Sequence, residues 1–338
     1  MAANRQRSVT VSDVAQRAGV SPGTVSKALN GRGQLASATR DRVLAAAEEL
    51  GFVPNLTARS LSSGRTYLVG ILTTDSIGRF TIPILTGAED VLGPGQLGML
   101  LCESRGDAIR EQHYVRSLLN RRVDGIIVTG RNSTVRPSLG RDLGIPVIYA
   151  LVESDDPGDL SVLHDDRDGA ALAVRHLVET GRRRIAHITG PIRHAAVRRR
   201  LAGVEDALTA EGLTLAGEPL YGEWSERWGR EAALRLARGG HEFDGVFCAS
   251  DQIARGLLEG FREVGVRVPE DVGVVGMDNW DVMAESARPP LTTVDLNLAG
   301  LGRKAAEFLV AAIDGDPFPA GPHLTTSHLV KRHSTELL

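Results

Sequence analysis

Thr10-Val-Ser-Asp-Val-Ala-Gln-Arg-Ala-Gly-Val-Ser-Pro-Gly-Thr-Val-Ser-Lys-Ala-Leu-Asn30 reads as two short helices joined by a tight turn. Thr10 suits the N-cap of the first helix, and Asp13, three residues on, completes a capping box. Gly19 ends that helix; Ser21 and Pro22 then supply the N-cap and first residue of the next. Helices this short bury little against each other as a simple hairpin. They suit a helix-turn-helix, whose second helix lays its N-terminal residues in a DNA major groove. A third helix is predicted with Ser37 as cap, a body from Ala38 to Leu50, and Gly51 as its stop. Val43, Ala46, Ala47 and Leu50 share one of its faces.

Val53-Pro-Asn-Leu-Thr-Ala-Arg-Ser-Leu61 follows. Taken together, residues 10–61 resemble the headpiece and hinge helix of the lactose-repressor (LacI/GalR) family of bacterial transcription regulators. The resemblance implies a homodimer on double-stranded, roughly palindromic operator DNA. It places Ser21, Pro22, Gly23, Thr24, Ser26, Lys27 and Asn30 at the major groove. It also makes 54–66 a hinge whose Asn55, Ala58 and Leu61 face the minor groove, with Leu61 as a wedge. Pro22 and Gly23 are poor hydrogen-bond donors, so base readout is expected to lean on Thr24, Ser26 and Lys27. The plain alternative for Lys27 is a surface lysine.

Charge is distributed to match. The 338-residue chain carries a net charge of -3, but residues 1–64 hold eight Lys/Arg against four Asp/Glu, and the remainder is acidic. A basic head on an acidic body suits a DNA reader with a separate sensor, although so small a difference also arises by chance.

From Tyr67 short apolar runs alternate with amphipathic segments. Strands are expected at 67–73, 98–102, 125–129 and 146–149, then at 184–189, 245–249 and 272–276. Helices are expected at 86–92, 109–121, 169–180 and 230–238. Near-continuous apolar strands between such helices argue parallel sheets covered on both faces. The fold class is therefore a small all-α headpiece plus an α/β sensor of two doubly wound parallel-sheet subdomains, the architecture of periplasmic sugar-binding proteins. The predicted domains are 1–53 for the headpiece, 54–66 for the hinge and linker, and 67–338 for the sensor. Within the sensor, 67–166 and 295–322 form one subdomain, and 167–294 and 323–333 the other.

Ligands of open α/β sheets sit beyond the carboxyl ends of strands. Polar and aromatic residues there include Thr74, Asp75, Phe80, Arg200, Trp224, Asp251, Asp278 and Trp280. Carboxylates and guanidinium groups grip vicinal hydroxyls, and an aromatic face stacks on a sugar ring. The family resemblance assigns Arg200, Asp251, Asp278 and Trp224 to effector contact and favours a sugar. Gly78-Arg79-Phe80-Thr81 departs from the family's Asn-Pro-Phe-Phe, and Leu151 replaces an acidic contact used by some sugar binders. Each residue also has an ordinary structural reading: Asp251 as a helix cap, Trp224 and Trp280 as packing aromatics, and two members of Arg198-Arg199-Arg200 as a solvated helix face. His164, His176 and His187 lack metal-ligand spacing and read as structural.

No P-loop, Gly-x-Ser-x-Gly elbow or His-Glu-x-x-His occurs, so no enzyme, cofactor or metal is expected. Cys102 and Cys248 sit in apolar runs and read as buried hydrophobes. No signal peptide or membrane span is legible, which implies a cytoplasmic protein. No leucine heptad precedes Leu338, so a dimer is expected in place of a tetramer. The function expected is a repressor of carbohydrate uptake or catabolism genes released by sugar. Its rivals are the same fold with a nucleobase or other small-molecule corepressor, and a cytoplasmic sugar-binding module without regulation.

Overall fold

The computed structural model describes residues 9–29, 35–52, 64–76, 78–94, 97–239, 242–317 and 319–336. The chain forms two compact units, Met1–Thr66 and Tyr67–Leu338.

In the first unit α1 (Val11–Ala18), α2 (Pro22–Leu29) and α3 (Ser37–Glu49) surround Val14, Ala18, Val25, Ala28, Val43 and Ala46. Thr10 Oγ1 accepts from the Asp13 amide, and the Asp13 carboxylate accepts from the Thr10 amide at 2.8 Å, so the expected capping box is present. Gly19 closes α1 at φ 64°, where a side chain would be strained. One expectation fails locally. Ser37 is the first helical residue of α3, not its cap; Ala36 precedes it and offers no side-chain acceptor.

The second unit holds two six-stranded sheets. The first runs β13-β7-β5-β3-β1-β2, comprising β1 (Leu68–Thr73), β2 (Gly98–Glu103), β3 (Gly125–Val128), β5 (Val147–Ala150), β7 (Leu160–His164) and β13 (Gly321–Thr325), all parallel. The second runs β14-β12-β11-β10-β8-β9, from β8 (Ile185–Thr189), β9 (Leu220–Tyr221), β10 (Gly245–Cys248), β11 (Gly273–Asp278), β12 (Thr292–Asp295) and β14 (His328–Val330). Only β14 is antiparallel to its neighbour. A two-stranded ribbon pairs β4 (Val135–Arg136) with β6 (Glu153–Ser154).

Helices α4 (Thr81–Leu92), α5 (Ala108–Asn120) and α11 (Leu298–Asp314) cover the first sheet. The second is covered by α6 (Asp166–Glu179), α7 (Ala195–Ala210), α8 (Glu226–Arg238) and α9 (Asp251–Val264), with the short α10 (Asp281–Ala284) beside them. Sequence periodicity set the starts of α4, α6 and α8 too late. Their first turns carry polar capping chemistry instead of apolar spacing: Asp165 caps α6, Ser225 caps α8, and the Asp75 carboxylate accepts from the Phe80 and Thr81 amides at the start of α4. The chain passes between sheets three times, after β7, β12 and β13. Because β13 keeps residues 321–325 in the first sheet, the last return lies beyond Thr325, not at 323. Helices α8 and α9 pack backbone to backbone. A Cβ on Gly256 would stand 1.9 Å from the Glu226 carbonyl oxygen.

Among the described residues, no helix is long and apolar enough to cross a membrane, and no group of three His, Cys, Asp or Glu is arranged to hold a metal ion. Cys248 is buried and Cys102 half-buried, both free.

Candidate functional site

In the headpiece Ser21, Pro22, Gly23, Ser26 and Lys27 are exposed along the start of α2, while Val25 and Ala28 turn into the core. Thr24 is half-buried, and its hydroxyl lies 2.9 Å from Ser21 Oγ, which also accepts from the Thr24 amide. Ser21 and Thr24 therefore close the helix start, and Ser26 and Lys27 form the polar face. Asn30, Asn55, Ala58 and Leu61 lie outside the described residues.

In the sensor, the carboxyl ends of both sheets open onto a cavity of about 530 Å³. Of the expected residues, Asp75, Phe80, Arg200, Trp224, Asp278 and Trp280 line it. Two do not. Thr74 faces a separate cavity between α5 and the β4–β6 ribbon. Asp251 is fully buried beneath the floor, where Oδ2 accepts from the Trp280 amide at 2.7 Å and Oδ1 accepts from Thr293 Oγ1 at 2.5 Å. Ser250, not Asp251, caps α9. The capping reading of Asp251 is thus replaced by an anchoring one: it ties β12 and the β11–α10 loop to the start of α9.

The lining acids and bases are largely paired with one another. Asp166, absent from the expected set, receives Arg200 Nε at 2.7 Å, Ser133 Oγ at 3.0 Å, and lies 3.0 Å from His164 Nε2. Burial alone would raise its pKa, yet Arg200 and His164 hold it well below the usual carboxylate range. Arg200 also donates to the Ala249 carbonyl; its Nη2 has no partner among the described residues. Arg79 reaches from the first subdomain to an ion pair with Asp278 and a 3.1 Å hydrogen bond to Gln252 Oε1 in the second. Its guanidinium lies 4.4 Å from the Trp280 ring centroid and 4.7 Å from that of Phe80. Arg199 and Glu153 form a further ion pair between the subdomains. For Asp251, burial first and then the Asp278 carboxylate push the pKa up to about 8.

Two walls carry backbone strain. Leu151, after β5, takes φ 73°, and Asp278, ending β11, takes φ 118°. Such conformations cluster where a loop must aim groups at a ligand. Trp224 donates from Nε1 to His194 Nδ1 at 2.9 Å and packs so closely that a Cβ on Gly190 would stand 2.2 Å from its ring.

Sequence reasoning missed Arg79, Arg131, Asn132, Ser133, His164, Arg193, His194, Glu223 and Gln252, which also line the cavity. The strand-end rule reached some of their neighbours: Arg131 to Ser133 follow β3 directly, and Arg193 and His194 occupy the loop after β8. The pairing of Arg200 with Asp166, 34 positions apart, gave no local signal.

Residues 10–55 match the family described as bacterial regulatory proteins, lacI family, and residues 174–335 match the periplasmic binding protein-like domain. The HTH-type transcriptional repressor PurR of Vibrio vulnificus (strain CMCP6) is 32% identical over 336 residues, covering 96% of this chain and 99% of the relative. That of Aliivibrio salmonicida (strain LFI1238) is 30% identical, covering 90% and 92%. Among solved structures, the transcriptional regulator CelR-cellobiose complex is similar at TM-score 0.65 and 32% identity, covering 96% of this chain and 99% of that one. The Lac repressor dimer bound to operator and the anti-inducer ONPF is similar at TM-score 0.71 and 28% identity, covering 97% and 99%.

Proposed function

The chain belongs to the lacI family of bacterial regulatory proteins and is a DNA-binding transcriptional repressor, and from that premise we propose that it is a homodimeric switch released from a palindromic operator by a sugar-like effector. The observation that carries the effector reading is the cavity between the sheets. Phe80, Trp224 and Trp280 line it with aromatic rings, and Arg200, with Asn132 from the first sheet and Glu223 from the second, lines it with polar groups. A ring with hydroxyls at its edge uses both kinds of group.

Arg79, Arg199 and Ser133 bridge the two subdomains beside that cavity. A ligand seated there changes the relative energies of their arrangements, which is what coupling a cleft to a distant DNA reader requires. Paired headpieces place α2 in successive major grooves, with Ser26 and Lys27 toward base edges and phosphates. Regulation of carbohydrate uptake or catabolism genes is the role consistent with this reading.

A nucleobase corepressor is the competing reading, favoured by the same three aromatic rings, which accept a flat heterocycle as readily as a sugar. An operator gel shift with a panel of mono- and disaccharides beside hypoxanthine and guanine separates the two. Sugar should lower operator affinity; a nucleobase that raises it, with no sugar effect, would replace the inducer reading. Asp278→Asn should weaken ligand binding by roughly tenfold. Unchanged affinity in that variant would move the effector elsewhere.

A further inference from the structure

We propose that the ligand of the inter-subdomain cavity is an anion: a polyhydroxylated molecule bearing a carboxylate or phosphate, gripped by Arg131 and Arg193. The inference rests on reading that cavity as the effector site and narrows its chemistry.

Two buried acids at the cavity, Asp278 in its lining and Asp166 behind it, already have cationic partners. Asp278 is paired with Arg79, and Asp166 with Arg200 and His164. Asp75 spends Oδ2 on the Phe80 and Thr81 amides. Two of these three carboxylates are thus compensated by arginines, and the amides at the start of α4 stabilise the third.

The cations at the mouth are different. Arg131 follows β3 of the first sheet, and Arg193 precedes α7 beside the second. Both line the cavity, both are exposed, and neither guanidinium has an ion pair or hydrogen bond among the described residues. They line one cavity from the sides of its two sheets. Both charges reach His194, which lies below the usual imidazole range first through burial and then through Arg193, with Glu223 opposing and Arg131 adding to the shift. Among the described residues that line the cavity, Glu223 is the one exposed acid, and it suits a hydroxyl of the ligand.

Two forked guanidinium groups from opposite lips match a carboxylate or phosphate, each able to bind bidentately. An anion held by both also joins the subdomains, so the same contact that recognises the ligand favours one inter-subdomain arrangement.

Titration calorimetry of the full-length protein with D-gluconate, D-glucose 6-phosphate and D-glucose tests this. One anion should bind at least tenfold more tightly than D-glucose, and which one binds distinguishes carboxylate from phosphate. Arg131→Gln and Arg193→Gln should each weaken that anion by roughly tenfold while leaving the melting temperature in place. Raising salt should weaken it as well.

The proposal is overturned if neither anion binds, if D-glucose binds equally well, or if the double variant keeps the anion's affinity. Hypoxanthine and neutral disaccharides in parallel keep the two failures apart. A neutral ligand lost in Asp278→Asn would retain the effector site and discard the anion. Absence of any ligand that alters operator affinity would discard both.

Discussion

Asp251 and Asp166 show how two buried aspartates in one site come to opposite states. Asp166 meets a guanidinium, an imidazole and a hydroxyl, and stays ionised. Removing either Asp166 or Arg200 strands the other's charge in the interior, a loss of about 3–5 kcal/mol in comparable cases. Arg200 therefore serves the fold as well as the ligand, so truncating it is a poor probe of binding. Among the described residues Asp251 has no ion pair with a cation, and burial together with Asp278 raises its pKa to about 8. An unfolded aspartate titrates near about 3.9. Between these values the folded protein holds a proton that the unfolded chain has released, so this group's contribution to stability falls as pH rises from about 4 to about 8. Asparagine reproduces the protonated form, accepting from the Trp280 amide and donating to Thr293 Oγ1. Asp251→Asn should therefore fold and narrow the difference in melting temperature between pH 5 and pH 8. An undiminished difference would place that pH dependence on other groups.

At the scale of elements, α2 is a short helix whose two faces have separate tasks. Val25 and Ala28 hold it to α1 and α3, and Ser26 and Lys27 remain exposed. Lys27→Ala should weaken operator binding without changing headpiece stability, because the side chain contributes nothing to the core. Leu61→Ala should weaken it further if the hinge inserts a wedge into the minor groove. Operator affinity measured across a salt series reads both, since loss of a phosphate contact by Lys27 also reduces the salt dependence. Equal affinity in the two variants and the parent would remove α2 and the hinge from the interface.

For the whole molecule, several large apolar side chains of the sensor face solvent in the single chain. Ile109, opening α5, is 83% exposed, and Val282 on α10 is 60% exposed. Ile82 on α4, Leu101 on the edge strand β2 and Val264 on α9 are also exposed. A stable protein–protein interface buries roughly 1,200–2,000 Å², and α4, α5 and α9 are the elements expected to supply it. Sedimentation should find a dimer at micromolar concentration without DNA, and Ile109→Glu with Leu101→Arg should yield monomers that bind operator weakly. A monomeric parent protein, or a dimer untouched by the double substitution, would move the interface to other elements.

Local chemistry made much of this protein legible from residues alone. Thr10 with Asp13, Gly19, and Ser21 with Pro22 mark the headpiece helices because caps and stops act within one turn. The apolar runs revealed the parallel strands because a strand buried on both faces has little room for polar side chains. The strand-end rule then reached Asp75, Phe80, Trp224, Asp278 and Trp280. What remained was decided by contacts between distant segments. The return of β13 to the first sheet, the burial of Asp251 beneath the cavity and the pairing of Arg79 with Asp278, 199 positions away, depend on how two sheets face each other. Residue type names the charge a side chain brings; only the tertiary structure decides whether another charge has already claimed it.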